Sequence, residues 1–408
     1  MTSIIRAESA HDFLAMLPTL AGYRPERSLV WVAFRGNRTA GVIRFDLPRR
    51  AADRDRLVAA GIGMLCRLAG VDAVVPVAYT SDPYAGRRGA GTTNLLRLAV
   101  RRAEEAGFLV RDALHVARDA WASVLDAGPC ATGMPLELIE RSPVALAHGD
   151  HDLGDGPTGF HRLPEADPEQ VERVGAILAR LRGGFTAAGT PRAAADSSAA
   201  IASLADELEG LGWRTDPVEF IEFVVAVPDD AADRTRELAW LAHLAALPVY
   251  RDAMMLQVAF GRIVGERALD DWGPAIDPTV GEMLAELLLG RSSRRPDVER
   301  VERGIAFALR AAVTVSDAHR AGVLCMAGWL SWTLGRGSAA ADLFERALDA
   351  DPSQGMARLL LEHLGAGAFP DWAFTEPQAA GDAEHGIAGD AFRDVPFSAR
   401  RAERGPSR

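Results

Sequence analysis

The chain has 408 residues, 48% of them hydrophobic and 25% charged, an ordinary balance for a globular protein long enough for two or three domains. Its formal net charge of −11 argues against a nucleic-acid partner, which is normally met by a basic face. There is no lysine, and all 45 basic side chains are arginine. Arginine stays protonated and cannot form a Schiff base, which disfavours the usual Walker A loops, protein kinases, pyridoxal enzymes and SxxK acyl-enzymes.

Cys66, Cys130 and Cys325 lie far apart with no CxxC pair. That spacing suits a reducing compartment and argues against a disulfide framework or a cysteine zinc site. The first residues carry Arg6, Glu8 and Asp12 where a signal peptide needs an unbroken apolar run, and no apolar stretch of membrane-spanning length follows. The expectation is a cytoplasmic protein with no membrane partner.

His11 to Leu20 suits a short helix, and Gly22, Pro25 and Glu26 then turn the chain. Ser28 to Arg35 is a nearly continuous apolar run, as in a strand covered on both faces. Gly36 and Asn37 signal a hairpin turn, with Thr39 to Asp46 as the returning strand. Residues 51 to 69 carry Leu57, Val58, Gly61, Leu65 and Leu68 at helical spacing. Val71 to Thr80 reads as a strand in which Pro76 suggests an edge or a bulge. A loop from Ser81 to Gly91 leads into a helix from Thr92 to Ala106, and Leu109 to Val116 and Trp121 to Leu125 read as two more strands. This order predicts a mixed α/β sheet over residues 1–165.

After one short helix near Leu136 to His148 the pattern becomes helical throughout. Helices are expected near 167–182, 192–211, 216–226, 231–246, 249–267, 278–289, 297–315, 317–334, 338–350 and 354–364. An all-helical domain over 166–369 therefore follows the sheet, and a flexible tail is expected over 370–408. Gly328, Gly335, Ala340, Phe344, Ala347 and Pro352 are spaced as in a single tetratricopeptide-like helix hairpin, with Phe344 filling the gap between hairpins, but no second copy follows and a generic helical hairpin with an Ala-rich interface competes equally.

Leu17-Pro18, Gly22, Pro25, Ser28-Leu29-Val30 and Asp46-Leu47-Pro48 together resemble the signature of the actinobacterial family known as domain of unknown function 4192. The segment Val116 to Leu125, the patch Pro129 to Pro135, Gly328 to Trp332 and the ending Ala347-Leu348 to Pro352 are similar to that family too. The patch holds a single cysteine, Cys130, where the family suggests a denser Cys-Pro cluster. The resemblance implies a cytoplasmic two-part protein and brings no activity.

Two constellations carry usable chemistry. His148, Asp150 and His151, followed by Asp152, Asp155 and His161, supply imidazole and carboxylate donors for a divalent metal. Their spacing matches neither HExxH nor an EF-hand, which would place His161 where a bidentate Glu is required. A solvated loop is the competing reading. The second is Gly86 to Thr93, between a strand and a helix, where Arg87, Arg88, Gly89, Gly91 and Thr92 would receive a phosphate or carboxylate at a helix N-terminus. A plain surface loop competes with it. Tyr23, Arg24, Glu26 and Arg27 in the opening turn suit a third, weaker polar rim, with an ordinary charged turn as the competing and commoner reading.

No GxSxG elbow or catalytic triad pattern is present, no cofactor is expected, and the sequence leaves open whether the protein is an enzyme. The leading expectation is a non-catalytic interaction or regulatory protein that meets a protein partner through its helical domain. The alternative is a small-molecule or phosphate-ligand-binding α/β protein, with a metal-assisted hydrolase as its catalytic variant. A third reading is a structural subunit of a homo-oligomer.

Overall fold

Seven consecutive buried residues, 28–34, make β1 (Ser28–Arg35) the spine of the N-terminal part. The computed structural model describes residues 7, 9–21, 24–48, 50–126, 132–148, 163–184, 209–227, 233–270, 278–365 and 367–375. Strand β2 (Arg38–Asp46) returns antiparallel to β1 with Ser28 opposite Asp46. The turn between them is held by the Asp72 carboxylate, which accepts from the Gly36 N–H at 2.9 and 3.1 Å. On its other side β1 pairs antiparallel with β3 (Ala73–Tyr79), with Ser28 opposite Tyr79.

The parallel neighbours of β3 are β4 (Leu109–Val110) and β5 (Leu114–Val116), and β6 (Trp121–Ser123) closes the order β2-β1-β3-β5-β6. The mixed sheet is as expected, but β3 is central and not an edge. Pro76 is tolerated because the ladder breaks beside it. Leu109 donates to Asp72 and Arg111 to Val74; the next alternating bond would come from the N–H of residue 76, which proline lacks. The expected strand Leu109 to Val116 is accordingly split into β4 and β5.

Side-chain alternation gives the sheet two cores. On one face Leu29, Trp31, Ala33, Val74 and Ala78 meet helix α2 (Arg54–Arg67) and helix α3 (Arg87–Glu105). On the other, Val30, Val32, Val75 and Val77 meet Leu14 and Leu17 of α1 (Ala10–Ala21). Leu17, from the sequence signature, is fully buried there. The short helices α4 (Glu137–Glu140) and α5 (Pro143–His148) replace the single helix expected near Leu136 to His148. Gly61 of α2 faces the Trp31 indole so closely that a Cβ would stand 2.5 Å from Nε1.

The rest is mostly helical. Helices α6 (Pro168–Gly184), α7 (Pro217–Ala226), α8 (Thr235–Ala245), α9 (Pro248–Phe260), α10 (Arg262–Asp270) and α11 (Pro278–Leu288) precede α12 (Val298–Thr314). Then come α13 (Asp317–Thr333), α14 (Gly337–Ala350) and α15 (Gly355–Gly365). The expected helix 249–267 is two helices divided at Gly261, and most of the expected helix 192–211 lies outside the described residues. Arginine ties this part together. Arg300 grips Glu222 at 2.8 and 2.9 Å. Burial pushes the Glu222 carboxyl up, but hydrogen bonds from Arg300 and Gln257 outweigh it and hold the group below its usual range.

Packing continues past Pro370, the residue at which the sequence predicts a tail. Trp372 is 3% exposed, sits against Phe260 and Trp332, and donates from Nε1 to the Thr333 carbonyl at 3.0 Å. Phe369 and Phe374 on either side pack on the sheet core instead. Arg67 of α2 covers the Phe374 ring at 3.8 Å and reaches Asp371 at 2.8 Å. This short segment therefore fastens the helical part to the sheet. Among the described residues no helix is long and apolar enough to cross a membrane.

Candidate functional site

The register places the start of β1, the end of β2 and the end of β3 at one end of the sheet, since Ser28 faces both Asp46 and Tyr79. Beyond that end lies an open cleft of about 540 Å³. Arg27, Pro48, Arg54, Thr80, Asp82, Arg87, Arg88, Gly91 and Thr92 are among its lining residues. Ligands of open α/β sheets commonly sit beyond the carboxyl ends of strands, and here β3 ends at the cleft.

Each wall has a local cause. The hairpin is clamped where Leu47 donates to the Arg27 carbonyl at 2.9 Å. Arg27 itself has φ +40°, the only described non-glycine residue in the left-handed region. Such a conformation costs on the order of 1 kcal/mol, and it sets the start of β1 at the cleft rim. Loop 80–86 is pinned by Asp82 N–H donating to Thr80 Oγ1 at 3.1 Å and Tyr84 N–H to Asp119 Oδ1 at 2.8 Å. Gly89 lets this loop fold over the first turn of α3, because a Cβ there would stand 1.7 Å from the Tyr84 carbonyl oxygen.

Helix α3 begins at Arg87 after Gly86, which offers no side-chain cap. Its first intrahelical acceptor is the Gly86 carbonyl, which takes the Ala90 N–H at 3.0 Å. The earlier N–H groups have no intrahelical acceptor, and this end of the helix favours negative charge. Arg88 reaches Asp82 at 2.9 Å across the loop. Arg54, at the start of α2, lies over α3, with Nη2 3.0 Å from where a Cβ on Gly91 would be. The guanidinium groups of Arg27, Arg54 and Arg87 have no carboxylate or hydrogen-bond partner among the described residues.

Behind the cleft wall, on β5, His115 is fully buried between the Tyr84 ring, at 5.2 Å, and Thr93 Oγ1, 3.5 Å from Nδ1. Burial drives its imidazole down to about 4, against the opposing pull of Asp119. It is a neutral core residue at physiological pH and does not line the cleft.

The predicted ligand residues Arg87, Arg88, Gly91 and Thr92 thus share one cleft wall, while Gly89 is buried beneath the loop. Arg27, from the opening turn, joins them. Arg54 carries no local sequence signal; only the packing of α2 beside α3 brings it in. Of the predicted metal ligands, Asp150 and His151 lie outside the described residues, and His148 is described only as the last residue of α5. Among the described residues no cluster of His, Cys, Asp or Glu stands ready for a metal ion. Cys130 also lies outside them; Cys325 is buried, and burial pushes its thiol up to about 12.

The helix pair expected to offer a groove has Phe344 against Gly328, where a Cβ would meet the ring at 2.6 Å. Every residue of α13 from Ala321 to Thr333 is buried, so this helix presents no open face.

The family model described as Domain of unknown function (DUF4192) matches residues 11–268 and 277–371, and the chain belongs to that family. No curated protein and no solved structure matches it.

Proposed function

We propose that the protein binds a small anionic ligand, a phosphate or carboxylate compound, in the cleft at the N-terminus of α3. The observation that carries this reading is the gathering of Arg27, Arg54 and Arg87 without a carboxylate partner among the described residues, in a chain of net charge −11. Like charges held together repel, and a bound anion removes that cost while gaining charge-assisted hydrogen bonds. The uncapped first turn of α3 adds N–H donors of the same preference.

Binding is favoured over hydrolysis by the lining itself. Among the described residues it includes no histidine or cysteine, and the one carboxylate there, Asp82, is engaged by Arg88. The hydroxyls of Thr80 and Ser81 complete a polar surface, while that of Thr92 donates to the Arg88 carbonyl. The test is a thermal-shift panel of phosphate- and carboxylate-bearing compounds. A ligand at a hundred times its Kd adds about 2.7 kcal/mol, enough to raise Tm. The rise is expected in the native chain and absent when Arg54 and Arg87 are both changed to Gln. No shift across the panel would contradict the reading.

A further inference from the structure

We infer that the ligand carries two phosphate groups and no aromatic base. This deepens the anion-binding reading of the same cleft and rests on it. The charge count comes first. Among the described residues, four arginines, Arg27, Arg54, Arg87 and Arg88, and one aspartate, Asp82, line the cleft, a net of three positive charges. One phosphate monoester brings about −1.5 to −2 and leaves at least one of them uncompensated. Two phosphates bring enough to neutralise them all.

The placement of the arginines agrees. They come from three separate segments: the turn before β1, the start of α2 and the start of α3. Arg87, at the positive end of α3, suits one phosphate, and Arg54 with Arg27 suits a second. The cleft volume of about 540 Å³ lies within the range for whole metabolites, roughly 300–1,000 Å³, and exceeds what a lone tetrahedral anion fills. The apolar lining is Leu47, Pro48 and Leu95, with no aromatic ring among the described lining residues. A nucleobase would have no aromatic ring to stack on and would compete with the phosphates for the guanidinium planes, whereas a short aliphatic or hydroxylated body fits beside Thr80, Ser81 and Thr92.

Calorimetric titration of the full chain with inorganic pyrophosphate, inorganic phosphate and ADP tests this. Pyrophosphate is expected to bind at least tenfold tighter than phosphate, and ADP no tighter than pyrophosphate. Arg54→Gln and Arg27→Gln should each bring the two inorganic anions closer together in affinity. Arg101→Gln, on an exposed part of α3 away from the cleft lining, should bind as the native chain does. Equal affinity for phosphate and pyrophosphate, both weakened by Arg87→Gln, would overturn the two-phosphate inference and leave the anion-binding reading standing. ADP binding tenfold tighter than pyrophosphate would overturn the exclusion of a base. No heat with any of the three would overturn both readings.

Discussion

Arg54, the first residue of α2, lies against Gly91 of α3, its Nη2 3.0 Å from the place where a Cβ on that glycine would stand. The glycine thus gives the guanidinium its seat at the cleft. Gly91→Ala should keep the fold and raise stability by up to about 1 kcal/mol, because alanine favours a helix over glycine. The new methyl group must shift Arg54, so anion affinity should fall severalfold. Denaturation and ligand titration of the same variant read the two effects separately. An unchanged affinity would mean that the position of Arg54 does not matter to the ligand.

Gly61 has a structural task of the same kind deeper in the sheet core. A Cβ there would stand 2.5 Å from Nε1 and 3.1 Å from Cδ1 of Trp31, which is fully buried on the central sheet face. Gly61→Ala is expected to cost about 1–3 kcal/mol through overpacking, more than the helix gains from alanine. Urea unfolding measures it, and an unchanged midpoint would show that Trp31 can move aside.

Trp372 should matter as a core residue and not as part of a tail. Its indole joins Phe260 and Trp332 and donates to Thr333. Trp372→Ala should destabilise by about 3–5 kcal/mol. A loss below about 1 kcal/mol would contradict the strap role given to residues 369–374.

His115 predicts an acid dependence. Its folded pKa of about 4 lies below the ordinary 6.5 because burial penalises the imidazolium. The unfolded chain therefore takes up a proton that the folded chain refuses. Stability from this residue is complete above pH 6.5 and is lost progressively as pH falls toward 4, by an amount on the order of 1–3 kcal/mol. Denaturation of native and His115→Gln chains at pH 7.5 and 4.5 checks it. The variant should lose less on acidification; an equal loss would contradict the assignment.

The hairpin of β1 and β2 was legible because burial and turn chemistry are local: an apolar run, then Gly36-Asn37, then a return strand closed by Pro48. That a Gly- and Arg-rich stretch joins a strand to a helix was legible for the same reason, but α3 starts at Arg87 and not at the expected Thr92, because Gly89 and Gly91 sit inside its first turns, where their missing side chains let the loop and Arg54 approach. Pro76 misled because an edge is the usual refuge of a strand proline, whereas here the parallel ladder on β3 is interrupted beside it. Arg54 was invisible because nothing near it in the chain distinguishes it from the other arginines. Trp372 was hidden by its setting, a single aromatic residue after the helical periodicity ends. These misses share a cause: the contacts that decide them join residues far apart in sequence.

The most direct test of the anion site is a backbone amide NMR titration of the full chain with inorganic pyrophosphate. Saturable shifts are expected to concentrate at residues 87–92 in the first turns of α3, with smaller ones around Arg27 and Arg54. Saturable shifts centred elsewhere, or no shifts at millimolar pyrophosphate, would contradict the account.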